Sequence, residues 1–483
     1  MKFFLVTIFC CLSISFFLNA QPKDLPADYL TKEFHAGRRD SLRALMPANS
    51  VAAVFAYPVR NFSNDVDYVY HQNPDMYYFS GYKEPNSMLL IFKDEQLSAD
   101  GSKYKELLFV QKKDPFAEQW TGIRLGVAGA REQLGFEKVF NGDEFASFVM
   151  DFAKFEHIYF DNLPADIADD RYDKADLYDL ITLFKQKTAM PEKLTTDKRF
   201  STSAFRQFTG KLREIKTEEE MNLLRKAVEI SCIGQAEVMR AIRPDMSERE
   251  IEGLHDYIHK RYGAENVGYP SIVGAGNNGC VLHYIDNDKL RIGQQMVLMD
   301  VGAEYHGYSA DVTRTVPANG KFSPEQKQIY ELVYAAQEEA FKLCKEGSSW
   351  QELEQKSRAI IVDGLIKLGI AKTREEANRY YPHGLGHHIG LDVHDRSNSS
   401  RLKKGMVITI EPGIYIPENS PCDKKWWGIA VRIEDDVLIK EKDYELLSFA
   451  APRKVEEIEK LIAEKSPFEN YTLPALKSAK KGF

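Results

Sequence analysis

The residues best suited to chemistry lie in segment 381–395, which contains four of the chain's eleven histidines. Imidazole is the commonest side-chain metal ligand and the usual proton carrier near neutral pH. His383 and His387 are four residues apart, as in the helical His-Glu-x-x-His zinc motif, but Gly384 stands where that motif needs its general base. Three glycines in the segment also argue against a helix. Taken alone, the segment is open to two interpretations, a metal or catalytic site and a glycine-rich loop with incidental histidines.

Two aspartates upstream can be brought together by a hairpin. Asp300 and Asp311 belong to two apolar runs on either side of a short polar connection. If Tyr305 and His306 form a two-residue turn, the two aspartates become directly opposed, with Cβ atoms about 4.5–5.5 Å apart. Two ionised carboxylates at that distance repel each other, so the pattern predicts a cation between them.

Two glutamates enlarge this acidic set. Glu411 and Glu434 each follow an apolar, strand-like run, where a salt bridge is the ordinary explanation for either residue alone. Together with the aspartates they carry four negative charges, which two divalent cations cancel, whereas one cation would leave uncompensated charge in a low-dielectric pocket. His387 completes a donor set dominated by carboxylates, which favours a hard cation such as Mn²⁺. The sequence therefore predicts a site for two divalent ions, with Mn²⁺ preferred.

The sequence around these residues resembles the pita-bread metallopeptidases, and within them the branch of Xaa-Pro aminopeptidase (aminopeptidase P) and prolidase. The resemblance covers roughly residues 213–447 and rests on the segments 299–302, 311–315, 383–387, 410–413 and 432–436. It implies a dinuclear site whose ligands are Asp300, Asp311, His387, Glu411 and Glu434. In that family pattern Asp311 and Glu434 touch both ions, and Glu411 is the candidate for taking the proton of the attacking water.

The resemblance also implies residues that act on the substrate. By itself His283, which follows a loop rich in glycine and asparagine, reads as a surface or core histidine. The family has a substrate-facing histidine in this context, so His283, His383 and His394 are expected to surround the substrate and to steady the oxyanion or the leaving group. Arg432 lies two residues before Glu434, so strand alternation places both on one face, and Arg432 is expected to orient the carboxylates.

The reaction that the resemblance implies is metal-dependent hydrolysis of the N-terminal Xaa-Pro bond, which releases the first residue from peptides with proline second. Two alternatives stay open: an Xaa-Pro dipeptidase (prolidase), and a metal-free peptide-binding protein on the same fold. The complete ligand set argues against the second. Only residues 395–405 separate the His394 segment from the strand before Glu411, and this short link resembles aminopeptidase P more than many prolidases.

The elements that must position these residues predict an α+β fold. Four helices are expected to begin at capping boxes, which pair Thr217 with Glu220, Ser247 with Glu250, Ser323 with Gln326 and Ser349 with Glu352. Such helices would cover one face of a curved antiparallel sheet in a catalytic pita-bread domain, residues 205–465. Residues 205–216 are expected to be a linker, and residues 466–483 a poorly ordered tail.

A smaller α/β domain, residues 24–204, is expected to precede the catalytic domain, and its sequence resembles the N-terminal domain of aminopeptidase P. The pattern predicts a polar helix at 26–46 and strands at 50–57, 87–92 and 106–111. Further helices are predicted at 144–155 and 176–187. The aromatic segment 68–82 is expected to belong to the core or to one wall of the approach to the active site.

The composition is that of an ordinary soluble protein. Of the 483 residues 43% are hydrophobic and 28% are charged, and the formal net charge is −8. These values give no reason to expect nucleic acid or an anionic membrane as a partner. Residues 1–20 differ, because Lys2 precedes an apolar run of about 16 residues, which is short for a membrane span. They are predicted to be a signal peptide, removed on export to the periplasm or the exterior, with a retained anchor as the alternative. Whether the protein is a homo-oligomer is left open.

Overall fold

The computed structural model of the protein describes residues 26, 28–98, 100–469 and 473. The predicted signal peptide, residues 1–20, lies outside these ranges, and so does most of the predicted tail, 466–483. Within the described ranges, no helix combines the length and the apolar character that crossing a membrane requires.

The residues before 202 form a unit around one mixed sheet. Its strands are β1 (Ser50–Phe55), β4 (Met88–Leu97), β5 (Lys103–Val110), β6 (Val139–Asn141), β7 (His157–Tyr159) and β8 (Phe200–Ser201), and a separate hairpin consists of β2 (Asn61–Ser63) and β3 (Val66–Asp67). The sheet order is β6-β5-β4-β1-β7-β8. Strand β1 is antiparallel to β4 and parallel to β7. The helices of this unit are α1 (Lys32–Leu45), α2 (Pro74–Ser80), α3 (Pro115–Thr121), α4 (Gly126–Leu134), α5 (Glu144–Ser147) and α6 (Leu177–Thr188).

The sequence locates the main elements of this unit, with two errors. The helix expected at 26–46 begins only at Lys32, as α1, because the Thr31 side chain caps it there. The three predicted strands are found as β1, β4 and β5, and the helix expected at 176–187 is α6, capped by the Asp176 side chain. The helix expected at 144–155 is wrong, since α5 ends at Ser147 and a separate 3₁₀ turn spans Phe152–Lys154. The Asp151 side chain accepts a hydrogen bond from the Ala153 backbone, and such local bonds compete with a continuous helix.

The second unit begins with α7 (Thr202–Arg213), so the segment expected to be a linker is largely an ordered helix. The remaining helices are α8 (Glu218–Ala241), α9 (Glu248–Arg261), α10 (Pro324–Phe341), α11 (Trp350–Lys367), α12 (Arg374–Asn378) and α13 (Val455–Ile462). The strands are β9 (Asn266–Val267), β10 (Ile272–Ala275), β11 (Met296–Val301), β12 (Ala303–Tyr305), β13 (Tyr308–Ser309), β14 (Val312–Pro317), β15 (Val407–Ile410), β16 (Gly413–Ile416), β17 (Ile429–Arg432), β18 (Asp435–Ile439) and β19 (Tyr444–Leu446). All strand pairs recorded for this unit are antiparallel.

All four predicted capping boxes are confirmed, at the starts of α8, α9, α10 and α11. Each satisfies backbone donors of a helix's first turn without help from the rest of the protein. Apolar residues of these helices pack on β10, β11, β16 and β17 and form one core, which includes Ile251, Val273, Val297, Ile361 and Val431. The predicted α+β class, with helices covering antiparallel strands, is confirmed.

Candidate metal centre

The turn between β12 and β13 sets the register of the strands that carry the two aspartates. Its central residues are His306 and Gly307, both with positive φ, 48° and 85°. Tyr305 therefore pairs with Tyr308, and the predicted turn at Tyr305 and His306 is wrong. The reason is local, because a two-residue hairpin turn that needs positive φ at both central positions favours glycine at the second.

As a result, Asp300 pairs with Thr313 rather than with Asp311, so the predicted direct opposition of the two aspartates is also wrong. Asp311 lies two residues before Thr313 and is a diagonal neighbour of Asp300 on the same hairpin. The two carboxylates still converge, because the Tyr269 hydroxyl lies within hydrogen-bond distance of Oδ1 of both. Its distance to Asp300 is 2.5 Å.

The two glutamates come from neighbouring strand ends. Glu434 lies between β17 and β18 and is buried. Its Oε2 accepts a hydrogen bond of 2.6 Å from the Thr313 hydroxyl, and its backbone N–H donates to the Thr313 carbonyl. Glu411 directly follows β15 and is the most exposed of the four carboxylates. The antiparallel pairing of β15 with β18 thus brings both glutamates to the edge where the aspartate hairpin ends.

The histidine-rich segment is irregular, with several bends, and is not helical, as its glycines predict. It runs beside β15. The backbone N–H of Thr409 donates a hydrogen bond of 2.8 Å to the His387 carbonyl, and the backbone N–H of Glu411 donates one of 2.8 Å to the Leu385 carbonyl. Gly386 allows this close approach, since a Cβ at that position would lie 2.0 Å from the Thr409 carbonyl oxygen. The backbone of β15 therefore fixes His387 relative to Glu411.

The orientation of the His387 ring leaves one nitrogen for a ligand. Nδ1 lies 3.0 Å from the His388 carbonyl oxygen, and as the donor in that bond it leaves the lone pair of Nε2 free. Nε2 lies 3.4 Å from Asp311 Oδ2 and 3.7 Å from Glu411 Oε1. Ligand atoms of Asp311, His387 and Glu434 all lie within 4.8 Å of one another. This arrangement fits a metal ion.

The carboxylates of the centre perturb one another's ionisation. Burial, followed by the charge of Asp300, raises the pKa of Asp311 well above its usual range. Burial and then Asp311 raise the pKa of Glu434 in the same way, and burial raises the pKa of Glu411 to about 7. Burial also opposes the ionisation of Asp300, but the charge of Arg432 together with hydrogen bonds from Tyr269 and Arg432 outweighs it and holds that pKa below its usual value. Divalent cations favour the ionised form of every carboxylate beside them, so this donor set fits such ions.

A cavity of about 430 Å³ opens at this centre. All nine predicted site residues line it: Asp300, Asp311, His387, Glu411, Glu434, His283, His383, His394 and Arg432. Part of its wall is apolar and consists of Pro270, Ile272, Leu282, Ile285 and Val393. The cavity therefore joins a hard-cation donor set to a surface that can accept an apolar group.

Comparison with known proteins gives matches to both units of the chain. Residues 222–441 match the model of metallopeptidase family M24, and residues 35–159 match that of the aminopeptidase P N-terminal domain. The Xaa-Pro aminopeptidase of Haemophilus influenzae is 35% identical over 447 residues, which cover 90% of this chain and 98% of that protein. The chain belongs to metallopeptidase family M24. The Xaa-Pro aminopeptidase of Escherichia coli is 36% identical over 438 residues, which cover 88% of this chain and 96% of that protein.

The fold of the M24 chain matches solved structures over nearly its whole length. The structure of E. coli aminopeptidase P with the inhibitor Pro-Leu superposes with a TM-score of 0.78 at 33% identity, covering 90% of this chain and 98% of that one. Membership of this family confirms the prediction of a metal-dependent peptidase that uses divalent ions.

Three polar residues of the M24 site were missed by the sequence analysis: Tyr269, Thr313 and Tyr415. The Tyr415 hydroxyl accepts a hydrogen bond of 2.9 Å from Arg432 and lies 2.8 Å from His383 Nε2. Arg432 also forms an ion pair with Asp300, so Tyr415 connects His383 to Arg432 and, through it, to Asp300. Strand alternation from Gly413, which is paired with Arg432, could have indicated Tyr415. No comparable local signal indicates Tyr269, which is brought in by long-range packing.

Proposed function

We propose that this M24 metallopeptidase is an Xaa-Pro aminopeptidase, which hydrolyses the first bond of peptides with proline at the second position. The observation that carries the proposal is the single cavity lined by five metal-donor residues, three further histidines and an apolar wall. Relatives named Xaa-Pro aminopeptidase, which match the chain across both of its units, support the same reaction.

Five residues are assigned to two divalent ions, with Mn²⁺ preferred because the donors are four carboxylates and one imidazole: Asp300, Asp311, His387, Glu411 and Glu434. When bound, two such ions polarise the scissile carbonyl and lower the pKa of the water that attacks it. The chain's own contribution is orientation. The Tyr269 hydroxyl joins the two aspartates, Thr313 holds Glu434, and Arg432 holds Asp300.

Glu411 is assigned the transfer of the proton from the water to the leaving nitrogen. It is the most exposed of the four carboxylates, and its oxygens lie 3.7 Å from His383 Nδ1 and 3.7 Å from His387 Nε2. His283, His383 and His394 are assigned to the substrate, where imidazoles can donate to the oxyanion. The apolar wall provides a surface for the proline ring, which has no N–H to satisfy.

The charged residues of the cavity favour an aminopeptidase over a dipeptidase. A dipeptidase has to recognise the free carboxylate that follows proline, and a cation is the usual means. Among the described residues that line the cavity, Arg432 alone has a permanently charged cationic side chain. Its guanidinium already contacts Asp300 and Tyr415, so it is not free for the substrate. A longer peptide has no free carboxylate directly after proline, so its binding requires no such cation.

The deciding assay compares Xaa-Pro dipeptides with Xaa-Pro-Yaa tripeptides and longer peptides on the metal-loaded protein. We expect turnover of the longer peptides with release of the N-terminal residue. Glu411→Ala is the matched inactive control, because it removes a metal donor and the assigned proton carrier together. Turnover confined to dipeptides would make the protein a prolidase, and turnover without proline in second place would refute the specificity.

Export is a separate proposal, supported by Lys2 and the apolar run that follows it. The mature chain is expected to begin near Gln21. Intact-mass measurement of the protein from its natural source tests this, and a chain that still carries Met1 in the cytoplasm would refute it.

A further inference from the structure

We infer that Arg213 is a positioning residue that holds the loop carrying His394 in place and joins it to the N-terminal unit. The inference rests on the proposed function, in which His394 contacts the substrate. It goes beyond that function because Arg213 lies in α7 and is not among the residues that line the cavity.

The environment of Arg213 is the first part of the argument. The residue is 1% exposed and forms ion pairs with three carboxylates. Nη1 lies 2.9 Å from Asp75 Oδ1 on α2, while Nη2 lies 2.7 Å from Asp392 Oδ2 and 2.6 Å from Asp395 Oδ1. A planar guanidinium fixes the directions of its donors, so one side chain defines the relative position of all three carboxylates.

A second cation strengthens the same anchor. The buried Lys216 ammonium lies 3.0 Å from Asp395 Oδ2 and donates to the Arg213 carbonyl at 2.8 Å. The backbone passes directly over this pair at Gly390, where a Cβ would lie 2.2 Å from Asp395 Oδ2. The loop therefore packs against this ion cluster at Gly390, where the loop begins, and Asp395 bonds it to Arg213 and Lys216.

The position of His394 explains why this anchor matters for the site. His394 lies between the two anchored aspartates, Asp392 and Asp395. Its own ring is exposed and makes an edge contact with His387, with centroids 4.3 Å apart. An exposed ring is not held by packing, so the backbone on either side has to place it. Both flanking aspartates, Asp392 and Asp395, form ion pairs with Arg213. Because Arg213 also pairs with Asp75, the N-terminal unit helps to position His394.

A double-mutant cycle tests the inference on the full-length, metal-loaded protein. Arg213→Lys keeps the positive charge but loses the planar guanidinium with its several fixed donors. We expect kcat/KM for an Xaa-Pro tripeptide to fall roughly 10- to 100-fold. In a His394→Ala background the same substitution should change kcat/KM by less than about twofold, because the residue it positions is gone. An equal loss in both backgrounds would show a merely structural role and overturn the inference.

Two further variants keep the test decisive. Asp392→Asn changes a half-exposed side chain, so it should fold even where Arg213→Lys does not, and it should lower kcat/KM only when His394 is present. Arg39→Lys is the control, since Arg39 is another buried arginine, paired with Glu106 of the N-terminal unit. It should leave kcat/KM unchanged.

Amide hydrogen exchange gives a readout that does not depend on the substrate. Residues 391–396 should exchange faster in Arg213→Lys and Asp392→Asn than in the wild type, and at the wild-type rate in Arg39→Lys. Unchanged exchange in the first two variants would overturn the inference. A wild-type protein that hydrolyses no Xaa-Pro peptide would refute the proposed function instead, and the exchange data would still decide whether Arg213 holds the loop.

Discussion

Substituting Gly386 by alanine should displace His387 and weaken metal binding. The added Cβ would lie 2.0 Å from the Thr409 carbonyl oxygen, whereas carbon and oxygen in close contact stay about 3.3 Å apart. The obstacle is backbone, so the segment has to move by about 1.3 Å, which breaks the two hydrogen bonds of 2.8 Å that join it to β15. Two lost bonds and the overpacking together cost about 2–4 kcal/mol of stability.

The same displacement also acts on the metal site. A shift of about 1 Å in a positioned group can cost on the order of 100-fold, and we expect metal affinity to fall by roughly 10- to 100-fold. The assay is metal content per chain after equilibration at limiting Mn²⁺, together with the midpoint of thermal unfolding. Gly384→Ala is the matched control, because a Cβ there meets nothing within 4 Å. Equal metal content in the two variants would refute the reasoning.

Three other outcomes follow from the site and its surroundings. Tyr269→Phe removes the hydroxyl between two ligand carboxylates, and elemental analysis should show weaker metal retention in a folded protein. Asp300→Asn should abolish turnover while circular dichroism stays that of the wild type; full activity and metal content would contradict the ligand assignment. Glu265→Gln should make the free energy of unfolding fall less steeply as the pH is lowered. Burial raises the pKa of Glu265, but hydrogen bonds from His306 and Lys83 lower it more, to about 2. Its stabilisation is present above pH 4.5 and is lost as the pH falls toward 2, so urea unfolding of both proteins across that range checks the difference.

The sequence was most informative where a few neighbouring residues decide the structure. The capping boxes at the starts of α8–α11 are set by a hydroxyl and a side chain three residues later, so their prediction needed no tertiary information. The same is true of the histidine-rich segment, whose glycines exclude a helix. The four candidate carboxylates were found because acidic side chains are conspicuous beside apolar strands. The roles of the histidines and of Arg432 came from the family resemblance, and one cavity brings all nine residues together.

The remaining features of the fold and the site depend on geometry beyond the local sequence pattern. The turn of the aspartate hairpin lies one residue later than predicted, because Gly307 and not His306 occupies its second central position. The expected linker is instead α7, whose Arg213 is buried among carboxylates from both units. Tyr269 reaches the site only through packing of distant segments. Such contacts have no signature in one stretch of sequence.

The wide spacing of the five assigned metal donors along the chain has a thermodynamic consequence. The donors lie on segments between residues 300 and 434 that meet only when β11, β14, β15 and β18 have all assembled. An unfolded chain therefore offers no competing site of similar affinity, and the free energy of cation binding accrues to the folded state. At a cation concentration a hundred times the Kd, that stabilisation is about 2.7 kcal/mol. The supply of metal in the surroundings would therefore govern how long the enzyme resists proteolysis as well as how fast it turns over.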